Sequence, residues 1–541
     1  MRTRMKLVAR IGLLVSWTGA LAAQESHDHG RSADELGRVV FAVSCTPEAG
    51  KRFEHAMALL HSFWWEQGRG AFEAVLAADP TCAMAHWGIA MNAWSNPFAG
   101  GPGGDAVAAG AQAAERAVAL GAPTPRERGF IAAAGTLYRD YATVSNAARL
   151  RAYSDTLARL YRDHPNEAEV AIYYALSLVA TASPTDTTFE RQQRAAAILN
   201  PLFRAQPEHP GLAHYIIHAN DSPRLAPLGL EAARRYATIA PSAPHAQHMP
   251  SHIFVRLGLW DETVASNQRS FDAGAAYAKT QGLAGIAPHE FHAMDYMVYG
   301  YLQRGQDRAA GRLVAEATAL AAASDTRGLV AGYNGTAMPA RFALERGDWR
   351  AAAALPVPEG VGLPALGAVI RFARGIGAAR SGDTAGARAE IQALAVIEQQ
   401  LTSRQDAYWA RVVGIKREAV AAWLALATGD TAAALRGAKA AADLDDVTEK
   451  HPVTPGELLP ARELEGDLLL AVGRFTEARR AYEATLAREP GRARSIYGAG
   501  RAAELAGDRA AAGAKYREYL TLMERADGTR PELERAKEFL R

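Results

Sequence analysis

Between His214 and Asp295 the chain gathers seven of its fifteen histidines: His214 and His218 in HYIIH, His245, His248 and His252 in HAQHMPSH, His289 and His292 in PHEFHAMD. All seven recur within their segments at intervals of three or four residues, the spacing that sets side chains on one face of a helix. Neutral imidazole is a strong ligand for zinc, copper, nickel or iron, and a carboxylate can complete a mixed set. The same residue types also suit a metal-free groove, donating to or stacking on a peptide or small acidic ligand. A third reading has them hydrogen-bonded within a tightly packed core. All three readings stay open at the level of sequence.

No enzyme motif narrows the choice. HEFH is too short for the zinc-protease HExxH, and HYIIH has that spacing but lacks the helical Glu. Glu290 and Asp221 qualify as a general base only where the fold sets them beside a bound water. The chain has no phosphate-cradling Gly loop, no haem-attaching CxxCH and no GxSxG elbow. Met249 and Met294 are near in sequence, and thioether would favour copper(I), although Met more often fills a core. His55, His164, His209 and His451 are isolated, so capping or surface roles are expected for them.

The elements that must position these residues are helices. Apolar content of 49% and charged content of 22% belong to a folded protein, and alternating strand patterns are nearly absent. At 541 residues the chain exceeds one compact core, so several domains or an extended repeat are required. A repeat is legible. Gly473 and Gly507 stand 34 residues apart, as do Ala478 and Ala512, and Tyr482 and Tyr516. Near the N-terminus AFEAVLAADPTCAMAHWGIA parallels AYEATLAREPGRARSIYGAG, and Gly258, Gly305, Gly347, Gly382 and Gly429 each precede Thr or Ala by five residues.

This pattern resembles the tetratricopeptide repeat. The resemblance implies an all-α, right-handed superhelical solenoid of antiparallel helix hairpins, with the first helix of each pair lining the concave face. HYIIHANDSP, APHAQHMPSHIFVRLGLWDE and PHEFHAMDYMVYGYLQRG further resemble a group of bacterial exported tetratricopeptide repeat proteins that share His-rich segments. That resemblance implies a fold and a location, and supplies no reaction.

With each hairpin glycine as a ruler, His252, His248 and His245 stand six, ten and thirteen residues before Gly258. Tyr299, Asp295 and His292 stand at the same offsets before Gly305, and His218 and His214 at six and ten before Arg224, which takes the glycine's place. The resemblance implies that these offsets face the groove. The expected metal shell is His214, His218, His248 and His252 with Asp295, around one divalent transition metal such as zinc, copper or iron. His245, His292, Tyr299 and Asp295 are expected to line the ligand groove. Pro250 interrupts HAQHMPSH, so His245 and His248 are expected on a kinked first turn or just before the helix.

Residues 1–23 read as a signal peptide: Arg2, Arg4, Lys6 and Arg10 precede a short apolar stretch and the small-residue site Ala20-Leu21-Ala22. The apolar stretch is too short to span a bilayer. Export to the periplasm or beyond follows, with residues 24–37 as a disordered tail, 38–355 as an N-terminal solenoid and 365–541 as C-terminal repeats. PVPEGVGLP (Pro356 to Pro364) is the expected joint. Cys45 and Cys82, the only cysteines, suit a disulfide that would stabilise by roughly 3–4 kcal/mol. Without the four leading bases the formal charge falls from +2 to −2, which argues against a nucleic-acid partner and for a protein, peptide or small ligand. The expected function is groove binding with a bound transition metal; the alternative is a metal-dependent hydrolase or oxidoreductase using the same cluster.

Overall fold

A computed structural model describes residues 35–98, 101–283, 286–321, 324, 326–358 and 363–541. The expected signal peptide and most of the expected tail lie outside the described residues, as does the middle of the expected joint at 356–364. Among the described residues all regular structure is helical, and successive helices pack as antiparallel hairpins, each against the next. The chain is an all-α solenoid.

Proline and glycine punctuate it as the pattern requires. Pro47, Pro125, Pro210, Pro288 and Pro364 each open a helix, where a missing N–H has no partner to lose. Gly258, at φ +69°, closes a hairpin and lies so close to the Pro490 carbonyl that a Cβ would collide with it. Pro250 splits the expected helix into Pro244–His248 and Pro250–Arg256. Met249 between them keeps right-handed helical angles, so the two pieces run nearly straight on and hold His248 one turn from His252.

Two boundaries move. Packing is already in place at Glu35: its carbonyl accepts from the Ser242 amide, Leu36 is buried, and Arg38 N–H donates to the Glu208 carbonyl at 2.9 Å. The expectation of a disordered tail therefore fails at residues 35–37, which are packed. Glu35–Arg541 is also one compact unit, with no division at residues 356–364. Tyr333 and Leu344 share a core with Leu366 and Val369 across that joint, so apolar burial is continuous there. Cys45, ahead of the helix Pro47–His61, is disulfide-bonded to Cys82 at the start of Ala83–Trp94. No described helix is long and apolar enough to cross a membrane.

The concave side of the central repeats is covered. Arg341 donates to the carbonyls of Gly456 and Glu457, Arg256 to Glu449 at 3.1 Å, and the Trp260 indole to the Gly491 carbonyl at 2.9 Å. Arg530 closes the far end on Asp307. Residues 449–457 thus lie across the expected groove.

Candidate metal centre

The helix Pro210–Asn220 places His214 and His218 one turn apart, and His245 enters from the start of the next hairpin. His214 Nδ1 donates to the backbone carbonyl of His61 at 2.6 Å. That bond leaves only a lone pair on His214 Nε2. His218 Nε2 lies 3.1 Å from it and His245 Nε2 3.2 Å. Phe63 presses on this group, its ring 4.4 Å from that of His214 and stacked on His245 at 5.4 Å. Its backbone is held at φ +52°, a conformation that a phenylalanine adopts only under constraint from its surroundings.

His248, His252 and His292 form a second group. His248 Nδ1 donates to Asn267 Oδ1 at 2.6 Å, and His252 Nδ1 donates to Asp221 Oδ2 at 2.9 Å. The Asn267 amide nitrogen is spent on the Thr263 carbonyl, so its oxygen is the atom facing His248. Both rings therefore turn bare Nε2 lone pairs toward each other, 3.0 Å apart. Two such lone pairs repel unless a cation stands between them. Two nitrogens each about 2.0–2.1 Å from a tetrahedral zinc are about 3.3 Å apart, close to the observed contacts. Acceptors that hold Nδ1–H and aim Nε2 inward are the usual supports of metal-binding imidazoles. His292 is held differently, with Nδ1 3.3 Å from Asn334 Nδ2. Asn334 Nδ2 also donates to the Val330 carbonyl at 2.7 Å, which fixes the amide nitrogen toward His292, so Nδ1 of His292 accepts there and its neutral ring carries the proton on Nε2.

The ligand atoms of each trio lie within 4.8 Å of one another. The trios are adjacent: the His218 and His252 ring centres are 6.1 Å apart, those of His245 and His248 6.0 Å. Each trio takes the offsets six and ten from one first helix and the offset thirteen from the next. Continuing the count, Arg341 and Asn334 stand six and thirteen before Gly347. At this third junction Asp295 meets Arg341 in a fully buried ion pair at 3.1 Å instead of an imidazole.

Asp295, expected among the metal ligands and in the groove, is thus removed from the centre by its guanidinium partner. Tyr299, expected in the groove, points into a different network, donating to Glu489 at 3.2 Å and accepting from Arg492 at 2.9 Å. The structure brings together His214, His218, His248 and His252, and adds His245 and His292 to them. Asp221, Asn267 and the His61 carbonyl, which orient the rings, carry no local sequence signal. His209, expected at the surface or as a cap, is buried, and His451 is half-buried. A third group, His61, Glu169 and His209, is hydrogen-bonded together, with His209 Nδ1 buried and unpartnered. Glu169 accepts from His61 at 3.0 Å and from His209 at 2.8 Å, and the second His61 nitrogen faces the Tyr215 hydroxyl at 3.0 Å.

Both trios border a cavity of about 300 Å³ lined by Phe63, Phe98, His218, His245, His252 and His292. Burial pushes His214 down to about 3 and holds His218, His245, His248 and His292 well below the ordinary histidine range. For His252 the burial effect also prevails, although Asp221 opposes it. At neutral pH these rings are neutral and ready to bind a cation. Because their folded-state pKa values are depressed, the unfolded chain takes up protons below about pH 6.5 that the folded chain refuses. Stability is therefore full above pH 6.5 and declines as pH falls. Between pH 7.5 and pH 5.5 each histidine held well below the ordinary range costs on the order of 1 kcal/mol. Melting of the metal-free protein across this range should show a clear fall; a flat profile would contradict neutral imidazoles.

No protein-family model and no curated sequence matches the chain. Among solved structures, the human IFIT1 dimer with PPP-AAAA is similar at 12% identity and TM-score 0.34, covering 77% of this chain and 87% of that one. The human IFIT1 dimer with m7Gppp-AAAA is similar at 11% identity and TM-score 0.35, covering 80% of this chain and 86% of that one. Those structures hold PPP-AAAA and m7Gppp-AAAA, and the expected exclusion of nucleic acid, which rested on net charge alone, is withdrawn. Net charge averages over a surface on which local basic sites can act independently. At these scores no ligand is transferred to this chain.

Proposed function

We propose that this chain is a metal-dependent enzyme that holds two transition-metal ions side by side, one in each histidine trio, and acts on a small molecule. The observation that carries this reading is the 3.0 Å approach of His248 Nε2 to His252 Nε2, with both Nδ1 protons already committed to acceptors. Three protein ligands per ion leave coordination positions open, the arrangement of reactive rather than structural sites. An all-imidazole shell without carboxylate suits copper first and zinc next; non-haem iron sites usually include a carboxylate. The cavity of about 300 Å³ and the covering residues 449–457 favour a small molecule over a protein or peptide. The Cys45–Cys82 disulfide supports an oxidising, exported location.

Protein prepared without an affinity tag should carry two ions of copper or zinc per chain by elemental analysis. A metal-free preparation whose melting temperature is unmoved by adding copper or zinc would overturn the proposal.

A further inference from the structure

Beside the histidine cavity lies a larger chamber of about 560 Å³, and the two share Phe98, His218 and His451 as walls. Lys450 lines the larger chamber with 7% of its side chain exposed. Its ammonium makes no hydrogen bond, and the Asp221 carboxylate is 3.6 Å away. That carboxylate is already engaged by His252 Nδ1 and by Arg256 Nε, each at 2.9 Å. The neighbouring Glu449 accepts from Arg256 at 3.1 Å and from Arg488 at 3.4 Å. The nearby acids are thus matched by guanidinium groups, while Lys450 keeps its donors unspent in a buried place. Buried cations are ordinarily hydrogen-bonded, so an unspent one facing a chamber marks a missing anion.

The walls describe the rest of the ligand. Trp409 stacks on His451 with ring centres 5.3 Å apart, and Phe98 lies against His218 at 4.3 Å. The Tyr408 hydroxyl is spent on the Glu449 carbonyl, so that residue offers its ring. One ammonium balances one negative charge, and the volume is that of a metabolite-sized molecule.

We propose that Lys450 seats the carboxylate of a small organic acid whose apolar body lies between Phe98 and Trp409 and reaches the histidine trios past His218. That this acid is the substrate of the two-ion centre rests on the reading above; the seat itself does not.

The test uses the full chain, metal-loaded and chelator-stripped, with phenylacetate, 4-phenylbutyrate and octanoate as probes. 4-Phenylbutyramide serves as the neutral counterpart and inorganic phosphate as a bare anion. Calorimetry should find at least one of the three carboxylates bound, with at least tenfold weaker binding in both Lys450→Met and Lys450→Gln. The amide should bind at least tenfold more weakly than its acid, and the ion content of both variants should be unchanged. Equal binding by wild type and variants, equal binding of acid and amide, tighter binding of phosphate, or no carboxylate binding to the wild type would each overturn the assignment. A Lys450-dependent carboxylate in protein that binds no metal would retain the seat and refute the two-ion centre instead.

Discussion

His252→Ala is expected to release one of two bound ions and retain the other, and His214→Ala to do the converse. The asymmetry follows from how the trios are built. His214 is oriented by the His61 carbonyl and meets His218 and His245, whereas His252 is oriented by Asp221 and meets His248 and His292. Neither ring belongs to both groups. At an ion concentration about a thousandfold above Kd, each site adds about 4 kcal/mol to the folded state. Each alanine variant should therefore lose roughly that much stability in the metal-loaded protein. After stripping with a chelator the difference should shrink sharply, because the bare His248 and His252 lone pairs repel and His252→Ala removes that repulsion. Asp221→Asn, which weakens the hold on the His252 ring without touching the ion, should lower affinity at that site by roughly 10–100-fold. Elemental analysis and melting with and without chelator read these outcomes. His252→Ala protein that keeps both ions, or that melts equally low when stripped, would exclude His252 as a ligand.

The solenoid was legible because its punctuation is local: Pro opens helices and Gly closes hairpins at positions such as Pro288 and Gly305, whatever lies elsewhere. The histidine-bearing helix faces were legible for the same reason. The grouping into trios was not. A ruler laid along one hairpin gathers His245, His248 and His252, but the structure splits them. His245 closes the group of the preceding helix and His292 closes the next. The unit of the site is the junction between hairpins, and it appears only when offsets six and ten of one helix are read with offset thirteen of its successor. Asp295 shared the right offset, but Arg341, 46 residues later, neutralises it. The covering segment was still harder to see. Glu449, Lys450 and His451 lie in an irregular segment whose contact with Arg256 spans 193 residues, and no pattern along the chain marks that pairing.

Replacing Arg492 by Met is expected to destabilise the protein by about 3–5 kcal/mol and to loosen the cover over the metal centre. Arg492 is fully buried where the C-terminal repeats meet the central ones. It donates to both oxygens of Glu463 at 2.7 and 2.9 Å and to the Tyr299 hydroxyl at 2.9 Å, and it pairs with Glu345 at 2.9 Å. Removing the guanidinium leaves Glu345 and Glu463 with unbalanced charge in a buried place, although Arg494 retains a 3.0 Å bond to Glu463. Lysine keeps the charge but cannot reproduce the fork, so Arg492→Lys should fall between wild type and Met. Arg474→Ala supplies the contrast: its pair with Glu477 is 46% exposed on both sides, and such surface pairs contribute about 0–1 kcal/mol. Chemical denaturation should rank the three variants in that order. If loss of charge balance is the cause, adding Glu345→Gln and Glu463→Gln to Arg492→Met should recover part of the stability, because neutral amides are far easier to bury than carboxylates. Limited proteolysis of residues 449–457 should accelerate in Arg492→Met and slow again in the triple variant. A methionine variant as stable and as protease-resistant as wild type would mean that the remaining contacts, among them those of Trp260, Arg341 and Arg530, hold the C-terminal repeats without Arg492.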